Sequence, residues 1–406
     1  MKLLNLVYDD WINENIPNPN GIKETGYNLF RLADHAILSS RFKNIHNCRL
    51  KDVSKNPNKI FFYVISVMTS FEYFLQVYDS TILSKEVISC AKENNNLKII
   101  FMSEQEYETK NYLIKIEKKI IQLGIKPENV WIINNNLFLE KFKKELNLKI
   151  NVYSIKAIAN MTANLLKTHN LNFKEEKEKL FLFHNRSPKP HRYALLCLLK
   201  KYNLLENVDW SLMEGWKIGL QYEYSFFSEI LQKNNIKNIS KEYNYFKKIE
   251  QKKSSYEENF NWCQKDKFNG DWSNIYSKET YENAYVNITG ESVFSKDAII
   301  HITEKSFKPF YYYQFPLIVA TPYHNTELKK LYNLEDVINH DFDNEENHMK
   351  RLTMIFEEIK RINKNKTSII NFYKKNKNRF IDNQNKIIAI STKTDDIDFF
   401  NNLIIL

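Results

Sequence analysis

His301-Ile302-Thr303-Glu304-Lys305-Ser306-Phe307-Lys308-Pro309, followed by Phe315-Pro316-Leu317-Ile318-Val319-Ala320, is the stretch on which the reading of this chain turns. It reads as a polar turn, a helix opening at about Glu304, and then a buried strand, which is half of a βαβ unit. A Thr at the helix start, with Glu and Lys just inside it, sets a carboxylate and an ammonium beside backbone N–H groups that lack intrahelical partners. Such a helix end can hold an anion.

Outward from this stretch the same alternation runs through the whole chain. Leu3 to Tyr8, Lys59 to Val67, Leu97 to Met102, Val130 to Asn134 and Leu148 to Tyr153 are short runs rich in β-branched or aromatic residues. Ser84 to Asn94, Tyr107 to Leu123 and Leu137 to Leu146 carry helical spacing between them. A polar stretch from Asn170 to Glu178 suits an interdomain connection. Beyond it come a strand from Lys179, a helix over Pro190 to Tyr202, a strand over Ala284 to Thr289, the central helix and its strand. Charged amphipathic helices follow from Glu345 to about Arg379, and then an apolar tail from Phe399 to Leu406. Glu223 to Tyr281 reads as a long helical and irregular region, and the stretch Tyr222 to Asn283, with little periodicity, as a loop-rich insertion or cover. The expected fold is α/β, with two Rossmann-like, doubly wound domains facing a cleft. The first spans residues 1–170 and the second 171–380, with 381–406 packing back on the body. Ligands bind at the carboxyl ends of such strands.

With 406 residues the chain is long enough for two cores. A hydrophobic fraction of 43% marks a folded globular protein, and no apolar run approaches a membrane span. Integral membrane contact is not expected, and Met1 to Asp10 reads as a first strand with no signal-peptide pattern, so a cytoplasmic location is expected. The four Cys, at 48, 90, 197 and 263, have no C-x-x-C spacing, and the nine His form no H-x-x-x-H pair, so neither a disulfide frame nor a bound metal is expected. There is no G-x-G-x-x-G and no P-loop, which disfavours an NAD site and a P-loop ATPase. The net charge of +10 is compatible with polyanions, yet it is equally the product of a composition crowded with Lys, Asn and Ile. The excess reads as spread along the chain.

A second constellation is Phe181-Leu182-Phe183-His184-Asn185-Arg186-Ser187-Pro188-Lys189-Pro190-His191-Arg192. A strand delivers the chain to a basic loop, after which Pro190 is placed to open a helix. Cations at a helix entrance oppose its dipole unless an anion sits among them. Arg192 and Arg186, with planar forks that suit phosphate, are the stronger candidates and Lys189 the weaker. The alternative is a solvated basic loop.

Together the two constellations resemble the donor-binding half of GT-B glycosyltransferases, in particular the fucosyltransferase-like families. The resemblance covers about 140 residues and rests on Asn185 and Arg192, then Thr303-Glu304-Lys305, then Pro316-Leu317-Ile318-Val319. It implies that Arg192 and Lys305 bind the pyrophosphate of a nucleotide sugar and that Glu304 accepts hydrogen bonds from the ribose. His301 stands where the family often has Tyr, and Thr321-Pro322-Tyr323-His324-Asn325 stands in place of a Gly-containing turn, so sugar and base stay unassigned.

Inverting transfer needs a carboxylate near the acceptor hydroxyl. Ser103-Glu104-Gln105-Glu106 follows a strand end, and by the same resemblance Glu104 or Glu106 is the base candidate. These acids equally suit the helix start that follows. Asp10, after the first strand, competes for the role. Asn134-Asn135-Asn136 reads as an acceptor-pocket lining or a helix cap, and Asp341-Phe342-Asp343 as a capped helix start. No D-x-D lies at the early position used by metal-dependent enzymes, so catalysis without a metal cofactor is expected, with cations and helix dipoles stabilising the leaving nucleoside diphosphate. The expected acceptor is a surface glycan or small glycoside. The alternatives are DNA bearing a hydroxymethylated base, as in phage-type modification, and a non-catalytic nucleic-acid or sugar-phosphate binding protein.

Overall fold

The computed structural model describes residues 4–7, 29–30, 45–67, 83–103, 110–155, 171–185, 189–212, 240–250, 281–294, 299–337 and 340–390. The chain divides into two compact units, residues 1–158 with 393–406 and residues 159–392.

In the first unit the strands are β1 (Leu4–Val7), β2 (Leu29–Phe30), β3 (Ile45–Cys48), β4 (Phe61–Val67), β5 (Leu97–Ser103), β6 (Val130–Asn134) and β7 (Asn151–Ser154). Six are parallel, in the order β3-β1-β4-β5-β6-β7, and β2 pairs antiparallel with the end of β4. The chain leaves β1 for one neighbour and returns to the other side for β4, so the sheet is doubly wound. The helices are α1 (Leu50–Lys55), α2 (Lys85–Glu93), α3 (Lys110–Gln122) and α4 (Leu139–Leu146). Along α3 the buried residues are Tyr112, Leu113, Ile116 and Ile120, the i, i+4 stripe of a helix covering a sheet. The short β3, Ile-His-Asn-Cys, carries an exposed His46 and lacks the apolar run that marks β4, β5 and β6.

The second unit holds β8 (Lys179–Asn185), β9 (Val208–Leu212), β10 (Ala284–Gly290) and β11 (Phe315–Val319), all parallel in the order β11-β10-β8-β9. Every residue of β10 and β11 is buried; β11 is a continuous apolar run, and within β10 the polar Asn287 and Thr289 are hydrogen-bonded to Gln314 and to each other. Two helices flank the site: α5 (Pro190–Lys201) and, after α6 (Ser240–Glu250), α7 (Glu304–Tyr311). Residues 191 to 199 of α5 are buried all round. Then come α8 (His324–Tyr332), α9 (His348–Lys364), α10 (Lys366–Lys375) and α11 (Lys377–Ile390). The chain passes from β8 to β9 on one side and to β10 on the other, so the topological switch point lies between β8 and β10.

The helix α6 falls in the stretch from Glu223 to Tyr281, read from the sequence as helical and irregular. Two sequence expectations change. The charged helices continue to Ile390, beyond Arg379. Asp341 to Asn344 form a 3-10 turn, and Asn347, not the Asp-Phe-Asp run, caps α9 by accepting from Met349 N and Lys350 N. Asp343 instead turns inward. Its carboxylate accepts from the backbone N–H groups of Asn325 (2.9 Å) and Thr326 (2.8 Å), and from both their side chains, capping α8 from another part of the chain.

Candidate anion-binding site at the switch point

The strand β8 ends at Asn185, which is buried, its Nδ2 donating to Phe183 O at 3.3 Å. Pro190 opens α5 at the first helical position, where its missing N–H costs nothing. Arg192 in the first turn of α5 is only 3% exposed, and its Nη2 donates to Glu291 O at 3.0 Å. The same carbonyl lies 2.9 Å from His191 Nε2. Burial, and then the Arg192 charge beside it, hold His191 well below the usual histidine range. The Arg192 side chain runs over Gly290, where a Cβ would stand 2.7 Å from Arg192 Cγ. The glycine is needed here for close approach.

Across the switch point, Thr303 is the N-cap of α7, its hydroxyl accepting from Lys305 N at 3.3 Å. Lys305 Nζ lies 3.4 Å from the same hydroxyl. Glu291, the first residue after β10, accepts from Thr303 Oγ1 at 2.7 Å, from Thr303 N at 3.4 Å, from Ser292 N at 3.0 Å and from the Ser306 hydroxyl. Ser306 Oγ is also 2.8 Å from His324 Nε2. Burial alone would push the Glu291 carboxyl up; the charge of Lys305, the neighbouring His324 and the hydroxyls of Ser306 and Thr303 together hold it below the ordinary carboxylate value.

Glu291 is therefore the joint of the site. Its carbonyl holds Arg192 from α5, its carboxylate holds the start of α7, and its N–H continues the ladder to Val319 O at 3.0 Å. The buried carboxylate is offset by the Lys305 charge and by the hydroxyls of Ser306 and Thr303, while Arg192 is held at the backbone carbonyl of the same residue. Ser306 is fully buried, so its contacts with Glu291 and His324 make a structural bridge and not a nucleophile.

The structure thus brings Arg192 and Thr303 onto one residue, with Lys305 bonded to Thr303 beside it. Asn185 lies at the end of the adjacent strand, and His301 is buried two residues before the cap. Glu304 is the first residue of α7, and its side chain lies outside the described part. Arg186, Glu104, Glu106 and Asp10 also lie outside the described residues. Sequence reading missed Glu291. The signal available was an acid directly after a strand that ends in Gly, Asn287-Ile288-Thr289-Gly290-Glu291. In the first unit, Asn136 caps the turn leading into α4, its Oδ1 accepting from Phe138 N at 3.0 Å, and Asn134 Oδ1 accepts from Asn136 N at 2.8 Å.

A groove of about 610 Å³ elsewhere in the second unit is lined by Phe315, Lys329, His340, Arg361 and Phe372 among others. It lies away from the switch point, and its Lys329 and Asp336 already pair with each other.

No family model and no curated protein sequence matches this chain. Among solved structures, it is similar to a UDP-forming α,α-trehalose-phosphate synthase from Burkholderia xenovorans at 11% identity, with a TM-score of 0.37 over 84% of this chain and 73% of that one.

Proposed function

We propose that the chain is a nucleotide-sugar-dependent glycosyltransferase of the GT-B type, binding its donor in the second unit. The observation that carries this reading is the convergence of Arg192 and the capped Thr303-Glu304-Lys305 helix start on Glu291, at the switch point of a parallel sheet. Two cations that approach from different helices suit two phosphate groups of a nucleoside diphosphate better than one.

In the proposed reaction a carboxylate takes the proton of an acceptor hydroxyl as its oxygen attacks the anomeric carbon. The bond from that carbon to the diphosphate breaks on the opposite face, which inverts the centre. The electron pair leaves with the nucleoside diphosphate, whose added charge is met by Arg192, Lys305 and the dipole of α7, with no metal required. Glu104, Glu106 and Asp10 remain the candidates for the base, Glu304 for the ribose contact, and a glycan or small glycoside for the acceptor, bound by the first unit.

The test is a thermal-shift panel with UDP, GDP, CDP and ADP, with and without EDTA, on the wild type, Lys305→Ala and Arg192→Ala. A ligand that binds only the native state raises its melting temperature. One diphosphate should raise it selectively and without need of metal, and Lys305→Ala should weaken that binding by at least tenfold, about 1.4 kcal/mol, while also lowering the ligand-free melting temperature, because it removes the charge that offsets the burial of Glu291. Unchanged affinity in both variants would remove the donor-site assignment.

A further inference from the structure

The helix α10 lies across the amino-terminal edge of the second sheet. Phe372 packs on Phe315, the first residue of β11, at 5.9 Å between ring centroids, and Tyr373 meets Tyr285 near the start of β10 edge-on at 5.1 Å. Lys374 and Lys377 reach Glu176 and Glu175, just before β8. Arg192 and Lys305 sit at the carboxyl ends of these strands, on the opposite edge. The amino edge is therefore a surface separate from the anion site.

This edge gathers the charge that the sequence reading took as spread along the chain. Between residues 359 and 381 there are eight Lys and Arg and no Asp or Glu. The start of α9 belongs to the other edge, where the buried Arg351 donates to Ala320 O just after β11 at 3.0 Å, so the charge of the amino edge is that of residues 359 to 381. Acids from neighbouring positions pair with five of the eight. Lys364, Lys366 and Lys375 are exposed and make no ion pair among the described residues. The carboxyl end of α5 lies alongside, with Tyr202 packed on Phe356 at 5.1 Å and Lys360 Nζ 5.3 Å over the Tyr202 ring. Tyr202, Tyr245 and Phe372 are 44%, 39% and 37% exposed, three of the four large apolar or aromatic side chains so placed among the described residues.

We infer that this amino-terminal edge docks on the surface of an anionic phospholipid membrane. The open cations are all lysines, point charges on flexible stems that respond to a continuous negative surface without requiring a particular geometry. The two arginines of the stretch, whose forks would grip individual nucleic-acid phosphates, are engaged: Arg361 bidentately by Glu358 at 2.6 Å and Arg379 by Glu335 at 3.6 Å. Exposed tyrosine and phenylalanine rings among lysines suit the headgroup layer, where one end of a side chain is apolar and the other wet. No described helix is long and apolar enough to cross a membrane, so the contact is peripheral. It leaves the carboxyl ends of the strands uncovered.

The experiment is sedimentation of the full chain with vesicles of phosphatidylcholine alone or with about a third phosphatidylglycerol, at low and high salt. The protein should pellet with the anionic vesicles only, and less so as salt screens the charges. Lys364→Gln, Lys366→Gln and Lys375→Gln combined should weaken partitioning roughly hundredfold, at about fivefold per lysine. These exposed substitutions should leave the melting temperature and any nucleoside diphosphate shift unchanged, so the result stands whether or not the donor site is real. Equal pelleting with neutral vesicles, or a triple variant that partitions like the wild type, would overturn the inference. So would retention by single-stranded nucleic acid without vesicle binding.

Discussion

At the scale of single residues the site is controlled by close approach around Gly290 and Glu291. Gly290→Ala places a methyl group 2.7 Å from Arg192 Cγ, on a side chain too enclosed to swing away. The expected result is a loss of about 1–3 kcal/mol of stability, typical of overpacking, together with weaker diphosphate binding as Arg192 is displaced. Chemical denaturation of Gly290→Ala alongside ligand titration checks both, and wild-type values in each would show that Arg192 is not held by this contact. Arg192 stood out in the sequence because cations at a helix entrance conflict with its dipole, and Lys305 because it lies just inside a Thr-capped helix start. Glu291 was not, because its importance comes from four partners that are distant in sequence.

Among the elements, the start of α8 shows how a helix can depend on a residue from elsewhere. Its N-cap, Tyr323, adopts a left-handed φ of 66° and provides no side-chain cap. A Gly-containing turn would meet that backbone conformation without a steric cost. Here Tyr323 is pinned by its N–H to Asp343 O at 2.7 Å and by its hydroxyl to Glu346 at 2.9 Å. Asp343→Ala would leave buried N–H groups at the helix start without an acceptor, at a cost of roughly 2–3 kcal/mol. A urea titration with unchanged slope and a lower midpoint is the expected outcome. An unchanged midpoint would mean that α8 does not rely on this cap.

For the molecule as a whole, acid should be the weak direction. His184, His191, His324 and His340 are enclosed in the second unit and all are held below the usual histidine value, by burial first; His340 falls to about 4. Each is neutral when folded and titrates near 6.5 when unfolded. Their contribution is thus complete above about pH 6.5 and is lost as the pH falls through each folded value, which for His340 is about 4. Each adds up to about 1.4 kcal/mol per pH unit to the slope in that window. Urea unfolding at several pH values should show this, with His340→Gln reducing the slope by about one proton. An unaltered slope in that variant would remove His340 from the account.

The amino-acid sequence by itself determined the alternation of strands and helices, the parallel α/β class and the helix opening at Thr303, because periodicity, apolar runs and capping chemistry are local. It also singled out Arg192 as a candidate, since cations at a helix entrance oppose its dipole unless an anion is near. Only the tertiary structure decided strand order, and with it the switch point that brings α5 and α7 onto Glu291. It also turned Asp343 from a cap on the following helix into a cap on α8, and gathered lysines from α9 and α10 along the amino edge of the second sheet. These depend on which distant segments pair and bury one another, a choice made by the packing of whole elements and not by the spacing of residues within any one of them.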